Sequence, residues 1–200
     1  MWTLSDYRRV FCVAGLLGVI VCSVPSLMTF VHLPSGERFS ELWVLGPGHM
    51  AEGYPFNVRS NETYMVYVGV GNHMGASSYY RLYVKFRNQT ESLPNATAKT
   101  PSSLPSLYEY REALEVDRSW EAPLTFSFSG VSFFENRSMV ESLVINDVAF
   151  RVDKMTSWDA ENNGYYCQLF VELWIYNAEP DTFIFHNRFV SLWLNITASV

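Results

Sequence analysis

The sequence is poor in the features that brace small exported domains covalently. Only three of its 200 residues are cysteine: Cys12, Cys22 and Cys167. The first two fall in an N-terminal apolar run. Cys167 therefore stands alone in the rest of the chain, and no disulfide framework can form there. That remainder must be held by its core, and roughly 165 residues are enough to build one. Basic residues are also scarce, with 14 Lys and Arg against 20 Asp and Glu and a net charge of -6. A phosphate-binding surface needs clustered cations, so nucleic acid is excluded as a partner.

Catalytic and metal motifs are missing as well. The four histidines are His32, His49, His73 and His186. None has a second ligand at helical or hairpin spacing, and Cys-x-x-Cys is absent, so no metal and no cofactor is expected. There is no nucleophile elbow and no phosphate-cradling glycine loop. Cys167 sits on an apolar strand face and reads as a buried, inert thiol. His73 reads as a turn residue in left-handed geometry. No catalytic residue is assigned, and the chain is expected not to be an enzyme. Glu52 and Glu121 are the best carboxylates for an alternative, an envelope enzyme acting on glycans through paired acids. The preferred reading gives each a structural role, accepting backbone N–H groups in a bend.

What is present begins with an uncharged stretch, residues 10–33, preceded by Arg8 and Arg9. About 20 apolar residues cross a bilayer as a helix, and flanking basic residues stay in the cytoplasm. The stretch Ser23-Val24-Pro25-Ser26 is a poor cleavage site, so an uncleaved anchor is favoured over a signal peptide. The expected organisation is a cytoplasmic N-terminus over residues 1–9, a transmembrane anchor over 10–33, and an extracytoplasmic domain over 34–200.

From Phe39 onward the hydrophobic period is two. Tyr64, Val66, Val68 and Val70 share a face. So do Tyr80, Leu82, Val84 and Phe86; Leu124, Phe126 and Phe128; Cys167, Leu169, Val171, Leu173 and Ile175; and Val190, Leu192, Leu194 and Ile196. Gly46-Pro47-Gly48 ends a first strand, Asn72-His73-Met74-Gly75 reads as a hairpin turn, and Asn162-Asn163-Gly164 as another. Residues 88–105, rich in Ser, Thr, Pro and Asn, read as an exposed loop. Residues 131–154 read as a short helix followed by a strand. The fold class is all-β, an immunoglobulin-like antiparallel β-sandwich preceded by a single transmembrane helix.

Five Asn-x-Ser/Thr triplets occur, at Asn61, Asn88, Asn95, Asn136 and Asn195, where chance would give roughly two. All are expected at turns, loops or outward positions, and their use would require export. A second stripe, Phe170, Trp174, Tyr176, Phe189 and Trp193, lies opposite the aliphatic one. Either residues 131–154 cover it, the favoured reading, or it is a partner surface.

Several blocks resemble a known family. They are Pro34-Ser35-Gly36-Glu37-Arg38-Phe39-Ser40-Glu41-Leu42-Trp43-Val44-Leu45-Gly46, then Ala51-Glu52-Gly53-Tyr54-Pro55 and Asn72-His73-Met74-Gly75. Ser119-Trp120-Glu121-Ala122-Pro123-Leu124-Thr125-Phe126 and Arg188-Phe189-Val190-Ser191-Leu192-Trp193-Leu194-Asn195-Ile196 follow. Together these are similar to the outer domain of an archaeal membrane-protein family known only as domain of unknown function 1616, over most of residues 34–197. Met74 departs from the acid that family has in its turn, residues 131–163 look like an insertion, and family members often carry several membrane helices where this chain has one. The resemblance implies an archaeal, membrane-tethered β-domain and no particular activity. The expected function is a structural, adhesive or assembly role in the cell envelope, with an accessory subunit of a membrane complex as the alternative. The expected partners are the bilayer, through residues 10–33, and an envelope or membrane protein.

Overall fold

The computed structural model describes residue 11, residues 13–19 and residues 37–198. Contacts divide the chain into two units, Met1–Arg38 and Phe39–Val200. In the first, Phe11 and residues 13–19 are helical, and the side chains of Phe11, Val13, Leu16, Leu17 and Val19 are exposed. Among the described residues no helix is long and apolar enough to cross a membrane. Most of the anchor expected over residues 10–33 lies outside the described residues.

The second unit is all β. Its ten strands are β1 (Phe39–Leu45), β2 (Asn57–Arg59), β3 (Thr63–His73), β4 (Ser78–Asn88), β5 (Tyr108–Leu114), β6 (Ser119–Phe134), β7 (Arg137–Ile145), β8 (Val148–Asp159), β9 (Gly164–Asn177) and β10 (Thr182–Thr197). They form one curled sheet in two halves. One half runs β1-β3-β6-β7-β8, all antiparallel. The other runs β5-β4-β9-β10-β2, with only β10 and β2 parallel. The halves join where β8 meets β9 through two pairs, Trp158 with Tyr165 and Asp159 with Gly164.

The period-two pattern explains the curl. Side chains alternate across a strand, so each half has one apolar face, and curling turns the two faces onto one core. Val66, Val68, Val70, Leu124, Phe126 and Phe128 come from the first half, and Leu82, Val84, Phe86, Leu169, Leu173 and Leu194 from the second. Phe86 and Phe128 meet across the core with ring centroids 5.6 Å apart. Each such fully buried side chain stabilises the fold by about 1.5–3 kcal/mol.

Three sequence expectations about elements are corrected. Asn72-His73-Met74-Gly75 does not make a hairpin, because β3 and β4 belong to different halves and do not pair. It is a crossover, pinned by the buried Asn72. The Asn72 amide donates to the carbonyls of Ala76, Leu114 and Glu115, and its oxygen accepts from the Met74 N–H and the Tyr80 hydroxyl. The Tyr80 hydroxyl also lies 2.8 Å from the Ser40 hydroxyl. Residues 131–154 contain no helix; they are the end of β6, β7 and most of β8. The turn from β7 to β8 is Asn146-Asp147, with both residues at positive φ (46° and 64°), as a two-residue hairpin turn demands.

The third correction concerns residues 88–105. This segment does not stand free but packs on the outer face of β4 and β9. Ser102 and Pro94 are buried. Gln89 exchanges two hydrogen bonds with the backbone of Ser157 on β8, and Glu91 pairs with Lys154. At the free side of β10 the strand is irregular. A bulge falls between Phe185 and Arg188, with Asn187 at φ 57°.

Candidate functional site

Three groups of polar and aromatic side chains stand out on the outer faces. The first surrounds Glu121. Gly69 on β3 pairs with Trp43 on one side and Glu121 on the other. Having no side chain, Gly69 lets the Trp43 indole lie flat across β3, and a Cβ there would fall 2.2 Å from the ring. The indole N–H thereby reaches Glu121 and donates to it at 3.0 Å. His49 approaches from the loop after β1. Gly46 makes that loop tight, since a Cβ on it would meet the Glu52 carbonyl at 1.9 Å. His49 takes φ 56°, stacks on Tyr67 at 3.7 Å, and sets Nδ1 2.6 Å from the Glu121 carboxylate.

The Trp43 hydrogen bond, with the His49 contact adding to it against partial desolvation, holds the Glu121 carboxyl below its ordinary range. Glu121 is therefore ionised and accepts from both rings. Among the described residues it accepts no backbone N–H in a bend, the role the sequence suggested; it sits within β6 and accepts from the Trp43 indole of β1 and the His49 ring of the loop after it. Glu52 is exposed and forms no side-chain hydrogen bond among the described residues; its backbone, not its carboxylate, shapes the loop. His73 is also placed differently from expectation. It is the last residue of β3 and lacks positive φ, which Gly75 carries instead. Its ring stacks on Phe39 and lies 2.9 Å from Asp117.

The second group is buried. Glu172 on β9 is fully buried beneath the 88–105 segment and pairs with Lys85 of β4 at 2.9 Å. It also accepts from the Ser102 N–H at 2.7 Å and the Trp174 indole at 3.0 Å. Lys85 completes the ring by donating to the Ser102 carbonyl. Every charge here is matched, which is the condition for burying one.

The third group is the aromatic stripe, and its members separate. Phe170 is fully buried and offers no surface, a correction to its place in the expected partner surface. At the neighbouring Lys85 and Glu172 the cover is Ser102 of the 88–105 segment, not residues 131–154. Phe189 is half-buried. Trp174 and Tyr176 line one cavity of about 460 Å³ with Arg81, Tyr83, Asp181 and Phe183. Trp193, 50% exposed, borders another of about 470 Å³ with Phe56, Gln89, Asp159, Asn162 and Tyr166. It also borders an apolar cleft shared by Val44 of β1 and Val190 of β10. Arg81 and the loop side chains of these pockets were not singled out from sequence, because an arginine in a strand reads as solvated surface.

Of the asparagines, Asn61, Asn95 and Asn136 are exposed, and none donates through its side-chain amide among the described residues. Asn88 donates to the Met155 carbonyl. Asn195, expected to point outward, is buried. It accepts from the Tyr165 N–H and donates to Asn57. Cys167 is fully buried, and desolvation pushes its thiol well above the usual range. Among the described residues no group of three or more candidate ligands could hold a metal.

The fold is distantly similar to solved β-glucosidases. One is that of Listeria innocua with gluconolactone, 10% identical with TM-score 0.42 over 80% of this chain. Another is its D270A mutant with laminaribiose, 11% identical with TM-score 0.42 over 82% of this chain. This chain spans 16% of the length of those enzymes. The solved structures it resembles are of enzymes, so the expectation that the chain is not an enzyme is withdrawn, and the likeness assigns it no activity. At that identity and TM-score the likeness points to no catalytic residue in this chain. No curated protein matches the sequence. Residues 33–137 match the family described as Domain of unknown function (DUF1616), and the chain belongs to that family.

Proposed function

We propose that this chain is a glycosylated β-module held on the outer face of a membrane by residues 10–33, with an adhesive or assembly role in the cell envelope. The observation that carries the reading is the state of its sequons. Asn61, Asn95 and Asn136 are exposed with unengaged amide nitrogens, so a glycan on any of them would displace nothing. The exposed apolar side chains from Phe11 to Val19 fit a bilayer-facing helix. The resemblance to an archaeal membrane-protein family suggests an archaeal envelope. The curled sheet, closing two halves on one core, fits the immunoglobulin-like sandwich class. Exposed Tyr176 and Trp193 supply aromatic surface of the kind used for binding.

Protease shaving of intact native cells, followed by mass spectrometry, tests this. Peptides from residues 39–198 bearing glycans on Asn61, Asn95 or Asn136 are expected without lysis. Recovery of those peptides only after lysis, with every sequon bare, would overturn it. A second reading, an accessory subunit of a membrane complex, is favoured by the apolar cleft between Val44 and Val190. It predicts stoichiometric co-purification with another membrane protein in mild detergent.

A further inference from the structure

The outer face of β4, β9 and β10 holds a cation without a carboxylate partner among the described residues. Arg81 lies within β4, between Arg111 of β5 and Trp174 of β9. Like charges directly opposite one another in a sheet repel. Arg111 is neutralised by Glu109. Arg81 has no carboxylate partner among the described residues. Its guanidinium lies 3.9 Å over the Phe183 ring, Nη1 donates to the Tyr83 hydroxyl, and its Nε is buried without an acceptor. Arg81 lines a cavity of about 460 Å³, and a guanidinium without a carboxylate partner in a cavity wall marks a place where an anionic acceptor fits.

The surroundings narrow the acceptor. Lys85 and Glu172 neutralise each other, as do Arg111 and Glu109. That leaves Arg81 and Asp181, whose charges cancel, so a dianionic phosphate would leave the pocket more negative than a ligand with a single carboxylate. A planar guanidinium edge matches a carboxylate in two-pronged fashion. Asp181 accepts the Tyr176 hydroxyl through one oxygen; its other oxygen takes no hydrogen bond among the described residues and can accept from a ligand hydroxyl. Tyr83 and Trp174, packed edge to face with centroids 5.4 Å apart, give a rigid wall for a ring-shaped body. Carboxylate, hydroxyls and a ring together describe a sugar acid.

We propose that this pocket binds a hexuronic acid unit of an acidic polysaccharide, with Arg81 clamping the carboxylate and Asp181 accepting a ring hydroxyl. This gives the adhesive reading above its ligand class and rests on that reading for its biological setting. The binding itself does not depend on membrane location, so a failed shaving experiment and a failed binding experiment are distinguishable.

The test is calorimetric titration of the full chain in mild detergent with digalacturonate, its dimethyl ester and inorganic phosphate. Digalacturonate is expected to bind, and the ester to bind at least about tenfold more weakly, the range expected for losing a charge-assisted hydrogen bond. Arg81→Gln should produce a similar loss, and Arg81→Lys should restore part of it. Thermal melts of both variants check that they fold. Should Arg81→Gln unfold, Tyr176→Ala supplies the second variant, with weakened binding expected. The proposal is overturned if folded wild-type protein does not bind digalacturonate, if acid and ester bind equally, or if phosphate binds as tightly as the uronate. It is equally overturned if folded Arg81→Gln, or Tyr176→Ala in its place, binds like wild type.

Discussion

Replacing Lys85 by Met should be among the most damaging single changes in the β unit. Glu172 is fully buried, and Lys85 is its sole ionic partner among the described residues. Met keeps the length and apolar stem of Lys but strands the carboxylate. Breaking a buried pair from one side costs about 3–5 kcal/mol, a large share of the roughly 5–15 kcal/mol by which a domain is stable. The Ser102 N–H and the Trp174 indole still hold the carboxylate, which favours the lower end of that range. Urea unfolding followed by tryptophan fluorescence measures the loss. The decisive comparison is the double variant Lys85→Met/Glu172→Gln. Removing the stranded charge should make it more stable than Lys85→Met alone, although two native groups are then missing. Because Ser102 is tied to both partners, Lys85→Met should also speed proteolytic cleavage within residues 89–106. A loss below about 1 kcal/mol, the scale of exposed pairs, would refute the reasoning, as would a double variant less stable than the single one.

Gly69→Ala should cost about 1–3 kcal/mol by overpacking, because its Cβ would meet the Trp43 indole; adding Trp43→Ala should return part of that loss in thermal melts. Stability should also depend on pH through Glu121. Its folded carboxyl titrates below its unfolded value, so the unfolded chain binds the proton first. The stability it supplies is present above the unfolded pKa and lost as pH falls through the folded one. Glu121→Gln should flatten the acid limb of a stability–pH curve, and an unchanged limb would refute this. Asn195→Gln should lower stability by about 1–3 kcal/mol, since it breaks buried hydrogen bonds, with no change in glycan mass; loss of a glycan would contradict the buried placement. In a Cys12→Ser/Cys22→Ser background, Cys167 should resist thiol reagents until the protein unfolds, as read by labelling with and without denaturant.

The inward faces of β3, β4, β6, β9 and β10 are legible in the sequence, because a half-buried strand must alternate and Val66, Val68 and Val70 do so without interruption. Residues 131–154 were misread for a definite reason. Inward positions of β7 change phase between Val140 and Leu143, where its register with β8 shifts. A spacing of three imitates a helix. The crossover at Asn72 was taken for a hairpin because turn residues report a change of direction, not which strands pair afterwards. Lys85, Glu172 and Arg81 were invisible as a group, since charged residues on an outward stripe look solvated until another segment is seen lying over them. That segment, residues 88–105, is polar in composition, yet its polarity is spent on Ser157, Lys85 and Glu172 rather than on water. Glu121 is legible as a carboxylate in a motif-like stretch, but its donors Trp43 and His49 come from a strand and a loop far away in sequence.

The irregularity in β10 bears on how these molecules behave when crowded. Outside its last three residues, β10 is paired on one side only among the described residues. A long, straight strand in that position would be an invitation for another copy to add its own strand and for the process to repeat. The bulge between Phe185 and Arg188, with Asn187 turned into left-handed geometry, breaks the repeat spacing that such stacking requires. The kink therefore acts as a guard on solubility, and deleting its two extra residues, His186 and Asn187, is expected to favour edge-to-edge stacking of copies.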